Sequence, residues 1–191
     1  KLLEVQDSKA YLGPEGDMGF VHALMPYVFG AGDPTMGGRI EGMQAPGGTG
    51  AVRLAVGLAK KAGVPRVWMG VPSWPNHAQI FADLGLELKT FAHSTKAGVT
   101  DMDALRAAIA EADAGDAILL HGCCHNPTGI DYSHEQWDEI AALVAEAKLL
   151  PILDLAYQGL GQGMEEDAYG VRRVLAAVPE ALIAYSCDKN F

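Results

Sequence analysis

The sequence predicts an α/β fold, with a mainly parallel central sheet and helices on both faces. Three observations carry this. Short continuous apolar runs, Arg66–Val71, Ala117–Leu120 and Leu150–Leu155, read as strands buried on both faces. Between them lie segments whose apolar residues recur at helical spacing, and the two patterns alternate along the chain. With 191 residues, of which 49% are hydrophobic and 20% charged, there is enough apolar material for a core.

Residues 1–48 are rich in glycine and proline (Gly13-Pro14, Gly30 to Pro34, Gly37-Gly38, Pro46 to Gly48), with one helix expected over Gly19–Tyr27. They resemble a lead-in arm more than a core. From Thr49 the pattern becomes regular. Thr49 is expected to cap a helix reaching Lys61, with Val52, Val56 and Ala59 on one face and Gly63 as its stop. After the strand Arg66–Val71, Pro72 to Asn76 forms a rigid loop, His77–Leu84 a helix ending at Gly85, and Leu86–Phe91 a strand. Thr100 with Asp103 three residues on reads as a capping box for a helix over Met102–Ala110. Ser133 and Gln136 open the next helix, whose Trp137, Ile140, Ala141 and Val144 form an apolar stripe facing a sheet. Val171–Ala177 is a last helix and Ala181–Cys187 a last strand.

The formal net charge of -10 argues against nucleic acid or an anionic membrane as partner, since both need a basic surface. No apolar run reaches membrane-span length, and Lys1–Ala10 lacks a signal-peptide core, so a cytoplasmic protein is expected. Cys123, Cys124 and Cys187 are an odd set with two adjacent, which suits reduced thiols.

Polar clusters fall at strand exits and helix starts. Ala117–Gly129 runs from a strand into the turn Asn126-Pro127-Thr128-Gly129, where ligands gather in open α/β sheets. Gly47-Gly48-Thr49-Gly50 at a helix start offers free N–H groups and a positive dipole end, suited to phosphate, although such turns also occur as plain caps. Asp154 sits in an apolar strand and Lys189 just past another. They form either a structural ion pair, or a nucleophilic amine and a carboxylate that balances a buried cationic ring. His121, Cys123 and His125 alternate on one strand face, but an extended strand spaces them too far apart to converge on a metal, and no metal is expected. Cys124 and His125 point to opposite faces and make a poor thiol–base pair. Trp74, between two prolines, is either packing or a stacking surface.

Six ordered segments, Tyr11-Leu-Gly13, Gln44 to Gly50, Pro72 to His77, His121 to Gly129, Asp154 to Gly159 and Ser186 to Phe191, resemble the aspartate and aromatic amino acid aminotransferases of fold type I, which use pyridoxal 5′-phosphate. The resemblance implies that residues 49–191 are most of the cofactor-binding large domain and residues 1–48 part of the dimer-facing region. It implies that Lys189 forms the Schiff base and shuttles the substrate proton, that Asp154 pairs with the pyridine nitrogen, and that His77 supports Asp154 from behind. By the same resemblance Asn126 and Tyr157 bond the phenolic oxygen, and Trp74 stacks on the ring. Gly48, Thr49 and Ser186 hold the phosphate, and Tyr11 reaches the phosphate of the other subunit of a homodimer. Cis bonds are expected before Pro72 and Pro127.

The implied reaction is transfer of an amino group from an aspartate-like or aromatic L-amino acid to a 2-oxo acid such as 2-oxoglutarate. A β-lyase-like relative and an inactive cofactor-binding module are the alternatives. Two departures stand out. Asp188 replaces the serine that relatives usually carry before the lysine, and a carboxylate there repels phosphate unless it points away or a cation compensates. The family's arginines for phosphate and for substrate carboxylate lie beyond the lysine. The chain, beginning at Lys1 and ending at Phe191, is therefore expected to be an internal segment that does not turn over substrate unaided.

Overall fold

Among the described residues, five strands form one sheet in which every pairing is parallel: β1 (Arg66–Val71), β2 (Glu87–Ala92), β3 (Ala117–His121), β4 (Leu150–Leu155) and β5 (Leu182–Tyr185). Their spatial order is β2-β1-β3-β4-β5, so the winding reverses at β1 and opens a crevice outside the carboxyl ends of the strands. The computed structural model describes Glu4, Ser8 and residues 10–31 and 38–190. The glycine-rich positions 32–37 and Phe191 lie outside them. The chain divides into two units, Lys1–Ala45 and Pro46–Phe191.

In the first unit α1 (Met18–Phe29) is longer at both ends than the Gly19–Tyr27 expected. Asp17 caps it through Oδ1, which accepts from the Phe20 N–H at 3.1 Å, and Gly30 ends it at φ 91°. Pro26 lies inside the helix. Gln44 folds back on its start, where its side-chain oxygen accepts from the Asp17 N–H at 3.0 Å.

In the second unit α2 (Gly47–Lys61) begins two residues before Thr49. Pro46 takes the cap position and no side chain caps the helix, so Thr49 stands inside the first turn. The far end follows the expected form: Lys60 and Lys61 suit the dipole, Gly63 turns at φ 97°, and the Val64 N–H reaches the Ala59 carbonyl. Val52, Val56 and Ala59 are buried with Val67, Met69, Ile80, Phe81, Leu119 and Ile152.

α3 (Pro75–Asp83) starts at a proline, which suits a first helical position because its missing N–H would have no partner there. That shortens the loop expected over Pro72–Asn76. β2 is shifted one residue from Leu86–Phe91. α4 (Met102–Glu111) is capped by Asp101, whose Oδ1 accepts from the Ala104 N–H at 3.0 Å. Thr100 instead accepts from the Gln136 side chain at 2.8 Å, tying α4's approach to α5. α5 (His134–Glu146) carries the complete Ser133–Gln136 capping box, and all four residues of its stripe are buried.

A single turn of 3₁₀ helix, Glu166–Ala168, leads into α6 (Tyr169–Ala177), two residues earlier than expected. Gly170 lies under Trp137, and a Cβ there would stand 2.2 Å from the indole. The stripe residue therefore packs onto α6 through a position only glycine can fill. β5 is shorter than Ala181–Cys187, because the chain leaves the sheet before Ser186.

At the amino ends of the strands a fully buried carboxylate, Asp116, locks β1 to β3. It accepts from Arg66 Nε at 3.1 Å, the buried Trp68 indole N–H at 3.0 Å and the Asp113 N–H at 3.1 Å. Burial alone would raise its pKa. The Trp68 and Arg66 bonds outweigh that and hold the carboxyl below the usual range.

Candidate active site

At the opposite ends of the strands, the polar residues singled out in the sequence meet in the crevice. β1 leads into Ser73 and Trp74, β3 into His121 to Asn126, β4 into Asp154 to Tyr157, and β5 into Ser186 to Lys189. Register aligns them: Asp154 pairs with His121 on one side and Ala184 on the other. The peptide bonds Val71–Pro72 and Asn126–Pro127 are both cis, as the resemblance implies.

Asp154 is buried, and its Oδ2 lies 2.9 Å from Nε2 of a fully buried His77. No described residue donates to its other oxygen, so one face of the carboxylate is left for a further donor or cation. Behind His77, Ser73 Oγ sits 3.0 Å from Nδ1 and 2.9 Å from His121 Nε2. With a neutral His77 the chain runs one way: His121 donates to Ser73, Ser73 to His77, and His77 to Asp154. His121 suits this, since burial depresses its pKa to about 4 and keeps it neutral.

The polar chain ends in a stacked pair. The His93 and His125 rings lie 3.5 Å apart and 6° from parallel. His93 donates to the Ile130 carbonyl at 2.7 Å, and His125 Nδ1 meets Thr128 Oγ1 at 2.8 Å. Burial lowers both, and the nearby His121 helps press His125 down to about 3. Each ring is held neutral because charging it strands a cation among apolar walls and other imidazoles.

On the crevice side Asn126 Nδ2 donates to the Tyr157 hydroxyl at 3.4 Å, which places an amide and a phenol side by side. The Lys189 amine lies 5.2 Å from the centre of the Tyr157 ring. Trp74 meets His77 edge-on at 5.1 Å, half-buried with part of its surface exposed. Gly48 and Ser186 come close together: a Cβ on Gly48 would stand 3.2 Å from Ser186 Oγ. The first turn of α2, with uncapped N–H groups, thus faces a hydroxyl. The donors suit a phosphorylated ring, with anion-seeking N–H groups at one end and an acidic oxygen at the other. Tyr11, in the first unit, is fully exposed.

Three supporting residues escaped the sequence reading. Ser73 is the link between His77 and His121. Asp131 accepts from the Cys124 and His125 N–H groups, each at 2.8 Å, and holds the turn in which Cys124 adopts φ 47°. Asp167 accepts from Gly159, Gly161 and Gln162 N–H groups at 2.8 to 2.9 Å, pinning the loop that carries Tyr157. Among the described residues, the group with ligand atoms close enough to share a metal is Cys123, Cys124 and Asp167, not His121, Cys123 and His125. Asp167 already satisfies three donors, and burial pushes both thiols up, so this trio is poorly disposed to ligate.

Comparison with known proteins places the chain in a family. The family model for aminotransferase class I and II matches residues 1–191. The tyrosine aminotransferase of Rhizobium meliloti is 50% identical over all of this chain and 49% of its own length. The aspartate aminotransferase of Escherichia coli is 46% identical, again over the whole chain and 49% of the relative. The crystal structure of an aromatic-amino-acid aminotransferase from Burkholderia pseudomallei, covalently bound to pyridoxal phosphate, superposes with a TM-score of 0.92 at 32% identity, covering 96% of this chain and 47% of that one. The chain thus spans about half the length of the relatives it matches. A sheet that reverses at β1, a buried acid braced by histidine and a lysine at the next strand's exit are accounted for together by one conclusion: this chain belongs to the class I and II aminotransferase family.

Proposed function

We propose that the chain forms the cofactor-binding part of a pyridoxal-phosphate-dependent aminotransferase acting between an aspartate-like or aromatic L-amino acid and a 2-oxo acid such as 2-oxoglutarate. One observation carries the reading. Asp154 is buried, bound through one oxygen to a fully buried histidine, with no described residue donating to the other, beside the strand that leads to Lys189.

When bound, the cofactor supplies an electron sink for the carbanion left by loss of the substrate's α-proton. The residues supply the rest. Asp154 holds positive charge on the ring nitrogen, and His77, fixed by Ser73, keeps the carboxylate in place. Lys189 Nζ would hold the aldehyde and, once displaced by the substrate's own amine, would be free to take the proton from the substrate α-carbon. Asn126 and Tyr157 donate to the phenolic oxygen. Trp74 covers one ring face, while Gly48, Thr49 and Ser186 receive the phosphate.

We place residues 1–48 in the arm and dimer-facing region and 49–191 in the cofactor-binding large domain. Tyr11 serves the phosphate of the partner subunit in a homodimer, a reading supported by its complete exposure. A cytoplasmic location accords with the finding that no described helix is long and apolar enough to cross a membrane.

The test is borohydride reduction of the complete protein with pyridoxal phosphate, followed by peptide mapping. The label is expected on Lys189, and a label elsewhere refutes the assignment. With an amino acid and 2-oxoglutarate, glutamate is the expected product; ammonia and pyruvate would identify a β-lyase.

A further inference from the structure

We propose that Asp188 competes with the cofactor's phosphate for the N-terminus of α2, so that this chain holds a phosphorylated cofactor less tightly than the same site would with a neutral residue there. The inference rests on the cofactor reading above and concerns one side chain within it.

α2 opens at Gly47 with no capping side chain, so its first N–H groups and the positive end of its dipole face outward. The Asp188 carboxylate lies against this end: Oδ2 is 3.0 Å, and Oδ1 3.9 Å, from where a Cβ on Gly47 would stand. The side chain does not point away. Gly47, at φ 66° and without a Cβ, is what lets the acid come so near.

The backbone N–H of Asp188 reaches Ser186 Oγ at 3.3 Å, and the Ser186 and Asp188 side chains stand against Gly48 and Gly47 respectively. One wall therefore offers a hydroxyl and the other an anion. No described residue gives the Asp188 carboxylate a hydrogen bond or ion pair. The basic side chains of α2 do not compensate, because Arg53 pairs with Asp83 and Lys60 and Lys61 stand in the last turn. Lys189, next along the chain, is committed to the aldehyde.

An anion already resting at a helix N-terminus satisfies the dipole that would otherwise attract phosphate, and then repels the phosphate that arrives. The aldehyde ring, held by Asp154, Asn126, Tyr157 and Lys189, is indifferent to this. The penalty falls on the phosphorylated form alone.

The experiment titrates the complete apoprotein, as wild type, Asp188→Ser and Asp188→Asn, with pyridoxal phosphate and separately with unphosphorylated pyridoxal. Binding is followed by the absorbance of the bound aldehyde and by tryptophan quenching, and thermal melts confirm folding. Both variants are expected to bind pyridoxal phosphate about tenfold more tightly, a factor equivalent to ~1.4 kcal/mol, with pyridoxal affinity unchanged. Unchanged or weaker phosphate-ligand binding in the two folded variants overturns the proposal, as does an equal change for both ligands. If neither ligand reacts at Lys189 in any of the three proteins, the cofactor reading fails and takes the proposal with it.

Discussion

Replacing Asp116 with asparagine tests the account of how the sheet is held. The fully buried carboxylate accepts from Arg66, from the Trp68 indole and from the Asp113 N–H. An amide keeps one acceptor oxygen and turns an NH₂ toward the other donors, so at least one donor faces a donor. Arg66 is partly exposed and keeps Asp113, so water and that ion pair relieve it. Trp68 is only 4% exposed and cannot recruit water. One charge-assisted bond lost is worth about 1.5–3 kcal/mol, and an orphaned indole N–H adds about 1 kcal/mol. The expected destabilisation is therefore about 2.5–4 kcal/mol, read as a lower urea midpoint of the complete apoprotein at pH 7. The pH dependence follows from the depressed pKa. The carboxylate's contribution is complete above the unfolded value near 3.8 and disappears as pH falls through the lower folded value. The gap between wild type and Asp116→Asn should close on acidification through that window. A loss below about 1 kcal/mol at pH 7, or a gap that widens in acid, would refute the argument.

Two further outcomes are expected. Gly170→Ala should lower stability by about 1–3 kcal/mol in a thermal melt even though alanine favours helix by about 1 kcal/mol, because the added methyl meets the Trp137 indole at 2.2 Å; a stabilised variant would show that α5 and α6 are not packed this closely. His121 and His125, with pKa values of about 4 and about 3, should show no ring titration between pH 6 and 8 by NMR, and His93 should titrate below the ordinary histidine value; a midpoint near 6.5 for His121 or His125 would contradict the burial described. Their unfolded rings take up protons from about pH 6.5 downward, so their contribution lowers stability as pH falls from there toward 4.

The strands β1 and β4 are legible to the residue, because a stretch buried on both faces is mainly apolar, and the two polar members, Arg66 and Asp154, stand at or near its ends. Caps were less legible. Thr100 and Asp101 are both good caps, and only the position of Gln136, 36 residues away, assigns Thr100 elsewhere. At Gly47 the helix starts without a side-chain cap, so the capping type nearest its start, Thr49, falls inside the first turn. Gly170 carries no local signal, since the reason for a glycine inside α6 is the indole on α5. In the site, the recognisable segments are those that the strand exits bring together. The role of Ser73 is not visible locally, since its second partner, His121, is 48 residues distant, and Asp131 and Asp167 bond backbone groups that leave no mark on sequence.

The contact between His77 and Asp154 closes a loop of 77 residues. Making it requires β1, β3 and β4 to be in register first, for no shorter stretch brings the two together. Closing so long a loop is entropically costly, so a chain that has misaligned any of these strands has no acid in place for the ring. Uptake of the coloured cofactor during refolding would then time the arrival of the whole sheet, and its rate should lag behind the recovery of helix signal.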